Sequence, residues 1–76
     1  MKVKVYSSPA CIWCVRVKEF LKKNNITFEK IDVSNNQKAG MEMLMKTGQM
    51  GVPVIDIDGQ IVLGFDQEKL KKLLKI

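Results

Sequence analysis

Two cysteines, Cys11 and Cys14, are the residues whose type and spacing point most directly to chemistry, and the 76-residue sequence contains no histidine. Without histidine, Ser-His-Asp and Cys-His catalysis, the usual neutral-pH general base, and His-bound haem or copper are all excluded. A structural zinc site takes four Cys or His ligands, and two thiolates from one chain cannot supply them. What remains is thiol chemistry, carboxylate chemistry or none. As a crosslink, a Cys11–Cys14 bond would close a loop of about four residues and contribute only about 2 kcal/mol. A pair placed where it stabilises so little suits opening and closing, and a chain with no other cysteine suits a reducing compartment, the cytoplasm.

The pair needs a strand before it and a helix after it. Lys2-Val3-Lys4-Val5-Tyr6 alternates polar and apolar residues and predicts a first strand, ended by Ser7-Ser8-Pro9. From Cys11 to about Lys23, Ile12, Val15, Phe20 and Leu21 recur at helical spacing, with Asn24-Asn25 as the stop. Ile26 to Asp32 reads as a second strand. Ser34-Asn35-Asn36-Gln37 has the form of a capping box for a helix from about Asn35 to Thr47, with Met41, Leu44 and Met45 inward and Gly48 as its left-handed end. Val54-Ile55-Asp56-Ile57 and Gln60-Ile61-Val62-Leu63 flank Asp58-Gly59, a strong hairpin signal. Asp66 caps a last helix to about Lys75, with Phe65 reaching Leu70 as a hydrophobic staple. The expectation is an α/β chain of order β-α-β-α-β-β-α forming one domain over residues 1–76, with strands one and two parallel through a right-handed crossover.

Within that frame the two thiols differ. Three-residue spacing puts both sulfurs on one side of the first helical turn. Cys11 faces unpaired backbone N–H groups and the positive end of the helix dipole, which favour thiolate over thiol, whereas Cys14 lies one turn inside and is the more buried. Cys11 is then the attacking sulfur and Cys14 the resolving one. Trp13 supplies apolar bulk for packing or for docking. Two other readings stand beside this one: buried cysteines as small hydrophobes, or half of a metal site shared between two chains. Met41, Met43, Met45 and Met50 are expected to fill the core, Pro53 heads an edge strand, and Asp56 with Asp58 sits too close to a turn to form a catalytic carboxylate pair.

Composition removes other classes. At 46% hydrophobic and 28% charged the chain should fold rather than remain disordered. The net charge of +5 comes from 13 basic and 8 acidic residues, with a single Arg and no block of five basic residues, so helix solvation accounts for it better than nucleic-acid binding. No apolar run approaches the ~18 residues of a membrane span, and Met1 leads straight into the first strand without signal-peptide order.

Tyr6-Ser7-Ser8-Pro9-Ala10-Cys11-Ile12-Trp13-Cys14, Gly51-Val52-Pro53 and Gly64-Phe65-Asp66, in this order, give the chain a resemblance over essentially its whole length to small glutaredoxins of the thioredoxin superfamily. The resemblance implies a thioredoxin-like α/β fold with a four-stranded mixed sheet flanked by three helices. It implies a monomeric thiol-disulfide oxidoreductase of electron transport and cell redox homeostasis. No bound cofactor is implied, and the substrates would be protein disulfides or small thiols. It further implies a cis Val52-Pro53 peptide against the cysteines, Val52 backbone pairing with an extended substrate, and Gly64 to Gln67 receiving a glutathione carboxylate. Trp13, Val52, Pro53, Gly64, Phe65, Asp66 and Gln67 are the substrate-groove residues expected on this basis. Glutaredoxins usually carry Cys-Pro-Tyr-Cys, a Lys three residues before the first Cys, Thr before Val-Pro, and Gly-Gly-x-Asp-Asp. Here Cys-Ile-Trp-Cys, Ser8, Gly51 and Leu63-Gly64-Phe65-Asp66-Gln67 stand instead. The Gly64-Phe65 pair is similar to redoxins that serve ribonucleotide reductase and are recharged by thioredoxin reductase, so glutathione and that reductase both remain open as reductants. The cluster-binding members of the family mostly have one active-site Cys, and Cys14 sets this chain apart from them.

Overall fold

The computed structural model describes residues 2–48 and 51–76. Its elements are β1 (Val3–Ser7), α1 (Ile12–Lys23), β2 (Glu29–Asp32), α2 (Gln37–Thr47), β3 (Val54–Ile57), β4 (Gln60–Leu63) and α3 (Gln67–Leu74). One sheet runs in the order β2-β1-β3-β4, so the strand that Pro53 precedes is an inner one and not the edge strand expected; proline is accommodated because it stands just before the first ladder pair, Val54 with Tyr6. β1 and β2 are parallel, with Tyr6 opposite Ile31, while β3 lies antiparallel to β1 and to β4. The mixed four-stranded sheet and three helices match the expected architecture.

Alternation along β1 divides the interior in two. Val3 and Val5 face one side, where they join Val17 and Leu21 of α1, Ile55, Ile57 and Val62 of the sheet, and Leu70 and Leu74 of α3. Tyr6 faces the other side with Met43 of α2 and Val54. Two helices therefore cover one face and a single helix the other, the usual solution for a sheet whose faces are both apolar. The Asp58-Gly59 turn has positive φ at both residues (51° and 91°), the conformation that a two-residue hairpin requires.

Several elements differ from the sequence-based expectation. β2 starts at Glu29 rather than Ile26, because the Ile26 N–H is used to close α1: it donates to Leu21 O at 2.9 Å, beside Asn25 N–H to Lys22 O at 3.1 Å, with Asn25 left-handed at φ 59°. In α1 the inward stripe is Cys14, Val17 and Leu21, so Ile12 and Val15 are exposed rather than core. The Ser34 capping box does not form. Asn36 caps α2 by accepting from Ala39 N–H at 3.1 Å, while Ser34 donates to the Asp32 carboxylate, an anionic acceptor, from Oγ at 2.6 Å and from N at 2.9 Å.

α2 is also rotated from the expected orientation. Ala39, Gly40 and Met43 are buried, whereas Met41 and Met45 are exposed, Met45 to 84%. The cause is polar: Tyr6 donates to Glu42 at 3.0 Å, and Lys46 donates to Tyr6 at 3.0 Å and to the buried Asp56 at 2.8 Å. These contacts turn the 42/46 edge of the helix towards the sheet. Core filling holds for Met43 and fails for Met41 and Met45, and Met50 lies outside the described residues. Gly48 ends α2 in the left-handed region at φ 75°, as its position predicted.

Candidate functional site

The site lies where β1 ends, at the edge of the sheet shared by the start of β3 and the end of β4. Ser7-Ser8-Pro9-Ala10 turns the chain, with Cys11 N–H donating to Ser8 O at 3.3 Å. Cys11 is the N-cap of α1, one residue outside the helix, and its sulfur accepts the Cys14 N–H at 3.1 Å. A cap normally uses a side-chain oxygen for that third-position N–H, so the sulfur here takes the place of the capping oxygen and lies on the positive end of the helix dipole.

Cys14 has the opposite surroundings. It is fully buried, and burial, reinforced by its hydrogen bond with Cys11, pushes its thiol from the ordinary value of 9.0 up to about 11. The Ser8 backbone and the charge of Lys18 pull the other way without offsetting it. Both cysteines are free thiols, Cys11 partly accessible and Cys14 enclosed. Among the described residues, no group of three His, Cys, Asp or Glu side chains is placed to hold a metal ion.

The Val52-Pro53 peptide is cis, and the Cys11 thiol points to Val52 O at 3.9 Å, which puts this carbonyl beside the attacking sulfur. Gly64 N–H donates to Pro53 O at 3.0 Å and joins the end of β4 to the same loop; Gly64 has φ 71°, which glycine adopts without strain. Trp13, Val52, Pro53, Gly64 and Phe65 line one open cavity of about 290 Å³ next to the cysteines. The Phe65 ring packs edge-on to Phe20 of α1, with centroids 5.6 Å apart, which seats the α3 entry against α1.

Five of the seven expected groove residues thus come together. Asp66 is turned to a neighbouring recess with Lys46, Ile61, Leu63 and Lys69, and its carboxylate caps α3 by accepting from Lys69 N–H at 3.2 Å. Gln67 is exposed in the first turn of α3. Sequence reasoning missed the exposure of Ile12 and Val15: helical spacing assigned both to the core, but both stand in solvent, Ile12 in the first turn of α1 next to Cys11 and to Trp13 (58% exposed). The signal that could have separated them is the i, i+3, i+7 series Cys14, Val17, Leu21, which competes with theirs.

Comparison with known proteins agrees with this geometry. The glutaredoxin family profile matches residues 3–62. The chain is 44% identical over 73 residues to an uncharacterised glutaredoxin-like 8.6 kDa protein of the rubredoxin operon in Clostridium pasteurianum, covering 96% of this chain and 97% of that protein. A crystal structure of a mutant of the thioredoxin-like protein BC3987 superposes with a TM-score of 0.93 at 44% identity, covering 99% of this chain and 96% of that one. The NrdH-redoxin of Escherichia coli, whose structure is described as that of a glutaredoxin-like protein with a thioredoxin-like activity profile, superposes with a TM-score of 0.84 at 25% identity, covering 96% and 95%.

Proposed function

The chain belongs to the glutaredoxin family, and from that premise we propose that it reduces disulfides by cycling Cys11 and Cys14 between dithiol and disulfide. The observation that carries the proposal is the asymmetry of the pair: one sulfur sits on the cap of a helix with an N–H donated to it at 3.1 Å, and the other is enclosed three residues later. The Cys11 thiolate attacks one sulfur of a substrate disulfide, forming a mixed disulfide and releasing the other half as a thiolate. Cys14 then gives up its proton, attacks the Cys11 sulfur, and displaces the remaining half, which leaves as a thiol once it takes up a proton. Two electrons pass to the substrate, and the protein is left with a Cys11–Cys14 bond. In this proposal residues 1–76 act as one domain, Trp13, Val52, Pro53, Gly64 and Phe65 form the groove, and Asp66 with Gln67 shapes its α3 end. The low stabilising value of so short a loop fits a reducing, cytoplasmic setting and a place in cellular electron transport and redox homeostasis.

Replacement of the two cysteines tests the assignment. Cys11→Ser should abolish reduction of a small aromatic disulfide, and Cys14→Ser should accumulate mixed disulfides visible as mass adducts on Cys11. Full dithiol turnover in Cys11→Ser would overturn the mechanism.

A second reading concerns the reductant. Likeness to the NrdH-redoxin, together with Ser8 and Gly64-Phe65 at the positions named above, favours recharging by a thioredoxin reductase over glutathione, with electrons passed to a specific enzyme. Offering the oxidised protein NADPH with thioredoxin reductase, and separately glutathione, decides between them. A third reading, a metal or iron–sulfur centre bridging two chains through the same thiols, predicts a visible absorption band in anaerobically purified protein and a dimer that chelation dissociates.

A further inference from the structure

The positive charge of this protein is not spread over its surface. Of the 13 basic and 8 acidic residues, five of each lie on the strands, α2 and their loops: Lys2, Lys4, Lys30, Lys38 and Lys46 against Glu29, Asp32, Glu42, Asp56 and Asp58. They cancel. The remaining eight basic residues are on α1 (Arg16, Lys18, Lys22, Lys23) and α3 (Lys69, Lys71, Lys72, Lys75), against Glu19, Glu68 and the α3 cap Asp66. The whole net charge of +5 is therefore carried by the two helices that share one face of the sheet. Among the described residues none of these eight cations forms an ion pair, whereas Lys46 on the opposite face is paired with both Glu42 and Asp56.

Both helices also begin at the site. Cys11 caps α1, and β4 delivers α3 from the same end of the sheet, since Leu63 pairs with Val54 and Val54 with Tyr6. Next to Cys11 this face is apolar rather than charged: Ile12 is 61% exposed, and Trp13, 58% exposed, follows it on the side of α1 that meets Phe65 at the entry to α3. At 1.5 Å per residue, Arg16 lies about 7 Å along α1 from Cys11, and Lys22–Lys23 about 17 Å. A partner bringing a disulfide to Cys11 along this face meets an apolar strip first and a basic field behind it.

We propose that the α1/α3 face is a docking surface for an acidic protein segment that carries the substrate disulfide, seating apolar residues on Ile12 and Trp13 and acidic ones towards Arg16 and Lys23 of α1 and Lys71 of α3. The inference rests on the dithiol mechanism proposed above. A polypeptide fits better than a nucleic acid, because the surface nearest the sulfur is aliphatic and indole, and because seven of the eight cations are Lys rather than the planar, bidentate Arg. An opposed field of this kind acts mainly on the rate of encounter and is screened by salt.

The test uses the reduced protein and two synthetic peptides with the same disulfide loop, one flanked by a glutamate run and the other by a lysine run, with hydroxyethyl disulfide as an uncharged reference. At about 20 mM ionic strength the glutamate peptide should be reduced about tenfold faster than the lysine peptide, and the ratio should fall towards one at about 0.5 M salt. Arg16→Glu/Lys23→Glu/Lys71→Glu should remove or invert the preference while the reference rate is kept; Lys30→Glu/Lys38→Glu, on the neutral remainder, should leave it in place. A ratio near one at low salt in the unmodified protein, with the reference still reduced, overturns the docking surface alone. Failure to reduce any of the three disulfides overturns the dithiol mechanism and the inference with it. Tight binding of a single-stranded oligonucleotide at physiological salt, competing with the glutamate peptide, would reassign the face to nucleic acid.

Discussion

At the scale of residues, two identical side chains three positions apart are given different work by their surroundings. Cys11 replaces a capping oxygen at the start of α1, and Cys14 lies enclosed behind it with its thiol raised to about 11. The resolving step needs the Cys14 proton to leave, so its rate, followed by rapid-quench trapping of a preformed Cys11 mixed disulfide, should climb close to tenfold per pH unit between about pH 7 and 9. A rate independent of pH over that range would mean that burial does not hold the proton. The same shift has a stability consequence. The folded chain binds this proton more tightly than the unfolded one, so its contribution is intact below the ordinary value of 9.0 and is lost as pH rises towards 11. Cys14→Ala should flatten the alkaline limb of a urea-midpoint profile.

Elements are set by their ends more than by their middles. α1 is closed by two backbone bonds around the left-handed Asn25, which draw Ile26 out of the second strand and into the core beside Leu21. α2 starts at Asn36, since the Asp32 carboxylate holds Ser34 and also accepts from Asn35 Nδ2 at 3.0 Å. These bonds hold the Asp32 carboxyl below the usual carboxylate range, Ser34 first among the causes. Asn36→Ala should therefore cost about 1 kcal/mol in urea unfolding, and Ser34→Ala about half that or less, although a capping-box pattern in the sequence assigns the larger loss to Ser34. The strand–helix–strand order and the hairpin were legible because their signals, period-two alternation and Asp-Gly, are local. Cap identity was not, because Ser34 and Asn36 both qualify in sequence, and a carboxylate two residues upstream of Ser34 decides between them.

At the scale of the molecule, α2 is held to the sheet by a polar cluster as well as by Met43. Burial alone would raise the Asp56 carboxyl, but Lys46 and the Gly59 N–H outweigh it and hold it below the usual range; Asp56 and Tyr6 together push Lys46 well above its own. The pair thus contributes fully between the ordinary carboxylate and lysine values. It is lost as pH falls through the depressed Asp56 value, or as pH rises through the elevated Lys46 value. Asp56→Asn should cost about 1–3 kcal/mol at neutral pH, and its difference from the parent in thermal unfolding should shrink below about pH 4. In a chain of 76 residues whose core supplies only about 3–5 kcal/mol net, such a loss consumes much of the margin, and Leu21→Ala, at about 2–5 kcal/mol, should leave the chain largely unfolded at 37 °C by circular dichroism.

The residue string was enough for the order of elements, the cysteine pair at a helix start, the turn that makes the hairpin, and the family, since each is written in residues adjacent or one turn apart. Folding settled what depends on residues brought together from far along the chain. Tyr6 and Glu42, 36 positions apart, rotate α2 and expose Met41 and Met45. Val52, 41 positions from Cys11, sets its carbonyl beside the attacking sulfur. α1 and α3, placed on one face, gather a charge surplus that in one dimension is only a scatter of lysines. Local propensity and turn chemistry are short-range properties of the backbone, whereas a site and a surface field are sums over contacts and distances that exist only once the sheet has closed.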